Sequence, residues 1–227
     1  MRDIDICYHC KHKSPAAGKL ERDELKMLGG SCNQVVFRKR ERILVQNSLS
    51  FNIVYIREGL VKVHMVGPER EQILKIAKGP CYLGIPATVG GKVTPYSVTC
   101  ISETSVCFIG ADIFKEFIHQ NGAFAYEIIL ELCRDELFNF NKCINQAQKQ
   151  GNGKIAEALL FFSENIFESD HYEIPLTRTE LGDLTGTSRE TVSRILSDFD
   201  LHQIIKIDKK HISILNKEQL ERISETG

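Results

Sequence analysis

Two groups of residues in this 227-residue sequence have types and spacings that suit chemistry. The first lies on one predicted helix, where Arg189, Glu190 and Arg194 fall on the face opposite an apolar stripe. An arginine can make a bidentate contact with guanine, and a glutamate can accept a hydrogen bond from the amino group of cytosine. This face therefore has the chemistry to read base edges in DNA, although an ordinary amphipathic helix also carries a charged, solvated face.

The second group contains cysteine. Cys7 and Cys10 are separated by two residues and lie near His9 and His12, a pattern that suits metal binding or thiol redox chemistry. In a thiol oxidoreductase such a motif opens a helix after a buried strand, but only six residues precede Cys7. Eight cysteines in a chain of this length are too sparse for a disulfide-stapled secreted domain. Five of them are expected to be small buried apolar residues: Cys81, Cys100, Cys107, Cys133 and Cys143.

The residues around the arginine face fit a helix-turn-helix. Thr177 precedes a short helix, Gly186 supplies a tight turn, and Ser188 is placed to cap the next helix. In this motif the second helix presents its first turns to the major groove. Its apolar stripe recurs at i, i+3, i+4 and i+7, at Val192, Ile195, Leu196 and Phe199.

A β-hairpin is predicted after this helix. Residues 204–215 form two alternating runs around a polar turn, in which Lys209 and Lys210 could contact backbone phosphates. Over residues 176–215, six basic residues are balanced by six acidic ones, which favours placed contacts over nonspecific attraction. The predicted DNA-binding set is Thr177, Ser188, Arg189, Glu190, Ser193, Arg194, Lys209 and Lys210.

The first half of the chain predicts a short helix over residues 16–28, followed by an antiparallel β-roll. Short β-like runs between Gln34 and Ile109 are broken by Gly, Pro and Asn. In residues 60–66 apolar side chains alternate with Lys62 and His64, which are expected on the exposed face of a strand. The predicted fold class is therefore α+β, with an N-terminal roll, a long helix and a C-terminal winged helix-turn-helix.

The long helix after Gly110 carries a seam with alternating spacings of four and three residues. Such a seam packs two helices against each other, so it predicts a homodimer rather than one broad face of a buried helix. A second set, Ile128, Ile129, Leu132 and Phe138, is expected to pack on the β domain. Residues 148–153 are the predicted hinge, which divides the chain into a sensor domain (1–148) and a DNA-binding domain (149–227). The seam consists of Tyr126, Leu130, Cys133, Leu137, Phe140, Ile144 and Ala147.

Residues 177–196, TRTELGDLTGTSRETVSRIL, are very similar to the winged helix-turn-helix signature of bacterial CRP/FNR regulators. The order of roll, long helix, glycine hinge and winged helix also resembles that family over essentially the whole chain. The resemblance implies a homodimer that binds a palindromic site on double-stranded DNA and contacts RNA polymerase. Arg189, Glu190 and Arg194 resemble the base-reading set of the cyclic-AMP receptor branch, and Glu190, Ser193 and Arg194 fit the E-x-x-S-R pattern of the FNR branch. The expected half-site has a G·C-containing core such as TGTGA or TTGAC/T, and the two patterns do not decide between these alternatives.

The resemblance also raises the question of what the roll senses. The cyclic-nucleotide branch uses a Glu for the ribose and an Arg for the phosphate, but between Gly79 and Ser97 the only charged residue is Lys92. Burying an anion without a paired cation is costly, so cyclic AMP is not expected. An apolar or weakly charged effector, or a packed core without a ligand, fits better. The corresponding pocket residues are Tyr82, Leu83, Gly84, Ile85, Pro86, Tyr96 and Ser97.

The redox branch of the family holds an iron–sulfur cluster with cysteine thiolates. Cys7 and Cys10 resemble the start of its N-terminal ligand set, and Cys107 resembles its internal ligand. The position of the third N-terminal cysteine falls at Ala16, and Cys32 does not restore the usual spacing. Since the common clusters need four thiolates, an iron–sulfur cluster is not favoured, and the cofactor stays open. Another metal, a redox thiol and a purely structural arm are the alternatives.

Composition sets the remaining limits. The 29 basic and 30 acidic residues nearly cancel, so charge alone does not indicate nucleic acid. No apolar run approaches the roughly 20 residues of a membrane span, and residues 1–5 lack the apolar region of a signal peptide. We therefore expect a cytoplasmic protein with no membrane partner. No G-x-S-x-G, P-loop or H-E-x-x-H motif is present, so an enzyme is not expected. A dimeric ligand-binding module that does not read DNA is the other alternative.

Overall fold

The computed structural model describes residues 7–227, which divide into two compact units. One contains the residues up to Arg70 together with Leu74–Glu136, and the other contains Leu137–Gly227 together with Glu71–Ile73. The domain boundary predicted after residue 148 stays a prediction. The signal-peptide argument concerns residues 1–5, which lie outside the described residues.

The first unit begins with an arm of turns, a short 3-10 turn (Ala17–Lys19) and helix α1 (Arg22–Ser31). The sequence predicted one helix over residues 16–28. Helix α1 starts later because Glu21 and Glu24 form a capping box, in which the Glu21 backbone N–H donates to the Glu24 carboxylate at 2.7 Å. The helix packs on the roll through buried leucines, so the arm ends on a fixed support.

The β-roll consists of eight strands that form two four-stranded antiparallel sheets. The strands are β1 (Cys32–Phe37), β2 (Arg42–Leu44), β3 (Asn52–Glu58), β4 (Leu60–Val66), β5 (Glu71–Lys78), β6 (Cys81–Leu83), β7 (Ser97–Cys100) and β8 (Thr104–Gly110). Their orders are β1-β8-β3-β6 and β2-β7-β4-β5. Alternate side chains of both sheets form an apolar core that includes Ile56, Val61, Val98 and Val106, which confirms the predicted roll.

His64 is buried, so its predicted exposure on β4 was wrong. Its Nε2 atom lies 2.8 Å from the hydroxyl oxygen of Thr99 on the neighbouring strand β7. A buried imidazole needs such a polar partner, and a period-two pattern cannot reveal a partner on another strand.

Helix α2 (Ala111–Gln120) and helix α3 (Gly122–Gln148) follow the roll. Ile128 is buried and Leu132 packs against the same apolar cluster, as predicted. Ile129 is 53% exposed, so the prediction that it packs on the β domain was wrong, and Phe138 is 39% exposed. Successive helical residues turn by about 100°, and Ile129 therefore leaves the face that Ile128 occupies.

The second unit continues with α4 (Gly151–Phe161), which runs into a π-helical turn (Phe162–Phe167). Gly153, which the sequence placed in a hinge, lies inside α4, where a Cβ would come within 2.5 Å of the Gly227 carbonyl oxygen. The remaining elements are β9 (His171–Glu173), α5 (Arg178–Thr185), α6 (Arg189–Leu201), β10 (Ile205–Asp208), β11 (His211–Ile214) and α7 (Lys217–Thr226).

Strands β10 and β11 form the predicted hairpin, and β9 adds a third strand that the sequence did not reveal. Helices, roll and winged helix-turn-helix together confirm the predicted α+β class. In the part of the chain that the structure describes, no helix has both the length and the apolar character needed to cross a membrane.

Candidate functional site

The two helices of the motif are fixed at their N-termini by side-chain caps. The Thr177 hydroxyl oxygen accepts a hydrogen bond from the Glu180 backbone N–H at 3.2 Å. The Ser188 hydroxyl oxygen accepts one from the Thr191 backbone N–H at 3.1 Å, which confirms Ser188 as the cap of α6. Both hydroxyls satisfy N–H groups that have no partner within the helix, so they define where α5 and α6 begin.

Two glycines shape the turn between these helices. Gly186 adopts a left-handed conformation with φ of 71° as the C-cap of α5, as expected for the residue that ends a helix at a tight turn. Gly182 lies against the turn, and a Cβ there would lie 2.7 Å from the Thr187 carbonyl oxygen. Close approach of α5 to the turn thus sets the position of α6.

Helix α6 separates its residues into a buried stripe and an exposed face. Val192, Ile195 and Leu196 are at most 1% exposed. Burial of each such side chain stabilises the folded state by about 1.5–3 kcal/mol. Packing of this stripe against α4 and α5 fixes the rotation of α6 about its own axis. The residues predicted to read bases therefore all face solvent: Arg189, Glu190, Ser193 and Arg194.

The exposed face of α6 carries one internal ion pair and one stabilised carboxylate. Arg194 Nη1 lies 3.4 Å from Asp198 Oδ2, one helical turn away. Hydrogen bonds from its own backbone N–H and from the Ser188 hydroxyl hold the pKa of Glu190 below its ordinary value. The Ser193 hydroxyl donates to the Arg189 carbonyl oxygen at 3.0 Å. At pH 7 the face thus presents one ionised hydrogen-bond acceptor, the Glu190 carboxylate, and two donors, the guanidinium groups of Arg189 and Arg194.

The hairpin places its two lysines at the tip. Lys209 and Lys210 form the turn between β10 and β11, and both are exposed, with Lys209 at φ of 55°. Cations at a hairpin tip beside a helix-turn-helix are positioned for sequence-independent contacts with phosphate oxygens.

Arg178 is a basic residue that the sequence reasoning left out of the DNA-binding set. It lies at the first position of α5 and lines a surface groove together with Ser193 and Ser197 of α6. Its Nη1 atom is buried and has no hydrogen-bond partner among the described residues. The sequence could have indicated Arg178 as a DNA-binding residue, because it directly follows the capping residue Thr177 in the first turn of the motif.

The residues predicted to line an effector pocket are mostly part of the packed core. Tyr82, Leu83, Gly84, Ile85 and Ser97 are buried, Tyr96 is half-buried and Pro86 is exposed. The Tyr82 hydroxyl lies 2.7 Å from the Ser14 hydroxyl, and the Tyr96 hydroxyl oxygen accepts from the Gly84 backbone N–H at 3.0 Å. Both hydroxyls therefore have hydrogen-bond partners within the protein.

An acidic group, rather than a basic one, approaches this region from α3. Glu131 accepts a hydrogen bond from the Tyr82 backbone N–H at 2.9 Å, and burial raises the pKa of its carboxyl group. One turn later, Asp135 pairs with Lys75 at 2.6 Å. A carboxylate beside Tyr82 disfavours an anionic ligand at this position.

Four cysteines that are distant in sequence line one small cavity of about 40 Å³: Cys7, Cys10, Cys32 and Cys107. The Cys32 thiol is hydrogen-bonded to the sulfur atoms of both Cys7 and Cys107. These contacts lower the pKa of the Cys7 and Cys107 thiols, and the positive charge of Arg57 lowers both further. The same contacts raise the pKa of the Cys32 thiol far above its ordinary value. Cys32 does not fit the ligand spacing of the family, yet it lies between Cys7 and Cys107 in this group.

The resemblance implied that Cys7, Cys10 and Cys107 belong to a metal site. Among residues 7–227, no group of three or more His, Cys, Asp or Glu side chains is arranged to hold a metal ion. Cys10 accepts a hydrogen bond from Arg57 Nη2 at 3.7 Å, while Cys32 interacts with both Cys7 and Cys107.

The predicted dimer seam lies along α3 and is largely exposed within one chain. Tyr126, Leu137, Phe140 and Ile144 are between 54% and 62% exposed, and Cys133 and Ala147 are also exposed. Leu130 is half-buried. A row of large apolar side chains open to water is typical of an interaction surface.

Two known domain families match this chain, one in each half. The cyclic nucleotide-binding domain family matches residues 34–121, and the Crp-like helix-turn-helix domain family matches residues 153–223. The nitrogen fixation regulation protein FixK of Bradyrhizobium diazoefficiens is 23% identical over 225 residues, which cover 96% of this chain and 94% of that protein. The transcriptional activator protein Anr of Pseudomonas protegens is 23% identical over 187 residues, covering 80% of this chain and 77% of that protein.

The fold is also similar to that of FixK2 from Bradyrhizobium japonicum. The TM-score is 0.78 at 18% sequence identity, and the match covers 86% of this chain and 98% of that structure. At this identity the likeness concerns the fold alone.

Proposed function

This chain belongs to the CRP/FNR family of transcription regulators, and we propose that it acts as a homodimer that binds a palindromic DNA operator. The observation that carries the proposal is the orientation of α6. Its apolar stripe is buried, so Arg189, Glu190 and Arg194 face solvent near the helix N-terminus. In a helix-turn-helix these first turns enter the major groove, where arginine and glutamate distinguish G·C pairs.

The basic residues around α6 support a defined docking position. Lys209 and Lys210 extend from the hairpin tip, and Arg178 starts the helix that precedes the turn. Contacts of these cations with phosphates would fix the register of α6 on the duplex without adding sequence information. We therefore propose that α6 reads the bases, and that Arg178, Lys209 and Lys210 position it on the DNA backbone.

The exposed seam of α3 supports the homodimer. Leu137, Phe140 and Ile144 repeat at spacings of three and four residues and are more than half exposed. Two copies of this seam can bury each other in a coiled-coil contact, and the resulting two-fold axis would present two α6 helices to two half-sites. An inverted repeat in DNA is the natural counterpart of such symmetry. Contact with RNA polymerase and a cytoplasmic location complete the proposal.

We further propose that the signal controlling this regulator is not cyclic AMP. Between Gly79 and Ser97 no arginine is present to pair with a cyclic phosphate, and Lys92 is exposed. The carboxyl group of Glu131 lies beside Tyr82 and would repel an anion. A cyclic nucleotide at millimolar concentration should therefore leave the affinity for DNA unchanged in a titration.

Charge reversal on α6 tests the proposed DNA contact. The double variant Arg189→Glu/Arg194→Glu should lose binding to duplex DNA in a mobility-shift titration while keeping the circular dichroism and melting temperature of the parent protein. A matched double reversal on α7 and on the roll, Arg222→Glu/Arg42→Glu, changes the net charge equally and should retain binding. Equal retention by both variants would show a dimeric ligand-binding module that does not read DNA through α6.

A further inference from the structure

The end of helix α3 carries a second residue pattern on the side opposite its exposed apolar seam. Four polar residues follow the spacing i, i+3, i+4 and i+7, which places side chains on one face of a helix. At about 100° per residue, this face lies roughly 150° around the helix axis from the seam residue Ile144. All four residues are half-buried, whereas the residues between Asn145 and its neighbours along the seam face are exposed. This polar stripe consists of Lys142, Asn145, Gln146 and Lys149.

Two residues of the polar stripe bind one carboxylate on helix α4. Asn145 Nδ2 donates a hydrogen bond to Glu157 Oε1 at 2.6 Å. Lys149 Nζ lies 3.1 Å from Glu157 Oε2, and the Lys149 side chain is only 18% exposed. Both oxygens of Glu157 are therefore occupied by donors from the end of α3, and such charge-assisted hydrogen bonds are stronger than neutral ones.

A third residue of the stripe binds the helix-turn-helix directly. Gln146 Nε2 donates to the carbonyl oxygen of Leu184, in the last turn of α5, at 3.2 Å. The last four carbonyl groups of a helix have no partner within that helix, so an outside donor such as this amide satisfies one of them. The end of α3 is thus bonded to both α4 and α5.

The fourth residue, Lys142, extends the charged part of this contact. Its Nζ atom donates to the carbonyl oxygen of Ile73, which also belongs to the second unit, at 3.1 Å. Burial lowers the pKa of Lys142 to about 8, and the negative charge of Glu157 opposes that shift. Glu157 therefore acts electrostatically on two partly buried lysines of the stripe.

The connection between α3 and α4 is short and hydrogen-bonded. Helix α3 ends at Gln148 and α4 begins at Gly151, so two residues connect them. The Lys149 backbone N–H donates to the Asn145 carbonyl oxygen at 3.0 Å, and the Gln150 backbone N–H donates to the Gly227 carbonyl oxygen at 3.0 Å. The angle between the end of α3 and α4 is thus held by backbone contacts as well as by Glu157.

We infer that Glu157 is a positioning residue that sets which half-site spacing a dimer of this chain can bind. The inference rests on the proposed homodimer and on its proposed binding of DNA through α6. The seam residues Leu137, Phe140 and Ile144 lie on one side of α3, and the polar stripe holds α4 and α5 on the other. Because α6 packs on α4 and α5, the contacts of Glu157 fix the distance of α6 from the two-fold axis. Glu157 acts through the position of α6 and reads no base.

Duplexes that differ only in half-site spacing test this inference on the full-length protein. Fluorescence anisotropy measures affinity for an inverted repeat selected with the parent protein, for the same repeat with one base pair added or removed between half-sites, and for a single half-site. The parent should prefer one spacing. Glu157→Ala should lose that preference and keep the parent's affinity for the single half-site. Glu218→Ala, which removes an exposed glutamate from α7, is the matched control and should keep the preference.

A charge exchange separates the contact from a general loss of stability. Lys149→Glu and Glu157→Lys each place like charges together and should lose the spacing preference, whereas the double variant Lys149→Glu/Glu157→Lys should regain it. Hydrogen exchange provides a reading without DNA. Peptides over residues 141–152 should exchange faster in the two single variants than in the parent and in the double variant, because the contacts that hold this segment are lost.

Three results would overturn the inference. The first is an unchanged spacing preference in Glu157→Ala, and the second is equal hydrogen exchange over residues 141–152 in the parent and the single variants. The third is an equal loss of affinity on all duplexes, including the single half-site, because Glu157 would then have only a structural role. A parent protein that binds no inverted repeat would contradict the proposed function together with this inference, whereas a preference retained in Glu157→Ala contradicts this inference alone.

Discussion

Arg194→Ala separates the reading of bases from the stability of the fold. Arg194 is exposed, and its one ion pair, with Asp198 at 3.4 Å, is a surface pair within one helix. Such a pair contributes about 0.3–0.5 kcal/mol, so the variant should melt within a few degrees of the parent protein. The effect on DNA should be far larger. A bidentate arginine–guanine contact provides about 1–3 kcal/mol of discrimination.

The proposed homodimer makes this contact twice, once in each half-site. Loss of both contacts amounts to about 2–6 kcal/mol, and since each 1.4 kcal/mol is tenfold, operator affinity should fall by roughly 30-fold to 20,000-fold. The assay is fluorescence anisotropy at fixed salt, with the operator duplex and a scrambled duplex of equal length. Arg222→Ala, which removes an exposed arginine from α7, is the matched control for loss of charge.

The comparison of the two duplexes decides the outcome. Arg194→Ala should lose affinity for the operator and approach the affinity for the scrambled duplex, whereas Arg222→Ala should keep the preference of the parent protein. An unchanged operator affinity in Arg194→Ala, or an equal small loss on both duplexes in both variants, would refute the assignment of Arg194 as a base-reading residue.

Three further predictions concern the seam, the turn and the thiols. Leu137→Glu places a charge in the seam and should yield a monomer in sedimentation analysis, whereas Leu201→Glu, also at an exposed leucine, should not; a dimeric Leu137→Glu would contradict the seam. Gly182→Ala places a Cβ 2.7 Å from a carbonyl oxygen and should lower stability by about 1–3 kcal/mol in urea unfolding, while Gly122→Ala, with open space around it, should not. The hydrogen bond from Cys32 and the charge of Arg57 lower the pKa of Cys107, so its alkylation rate should rise with pH through a midpoint below 9.0, and a midpoint at or above that value would contradict the described contacts.

The winged helix-turn-helix could be predicted closely from the sequence because its determinants are local. The stripe of α6 repeats over two helical turns, Ser188 caps the helix, and Gly186 adopts the left-handed backbone that the turn between the helices needs. Strand β9 was missed because three residues are too few to show a period. Helix α1 starts later than predicted because its N-cap is Glu21, which forms a capping box with Glu24.

Features that depend on the pairing of distant strands could not be predicted in this way. His64 shows the polar type of an exposed residue, and only the pairing of β4 with β7 reveals the Thr99 hydroxyl beside it. Cys32 and Cys107 meet for the same reason, since the register of β1 on β8 brings them together. The family pattern places a third cysteine shortly after Cys10 in the sequence. In the structure the additional cysteine is Cys32, which begins strand β1.

The central claim is that this chain reads a two-fold symmetric DNA sequence through α6. Selection from a pool of randomised duplexes by the full-length, reduced protein, followed by sequencing of the bound DNA, tests it most directly. The enriched sequence should be an inverted repeat with G·C pairs in each half-site and half-site centres about one helical turn, or 10–10.5 base pairs, apart. Enrichment of an unrepeated motif, or no enrichment over the starting pool, would contradict it.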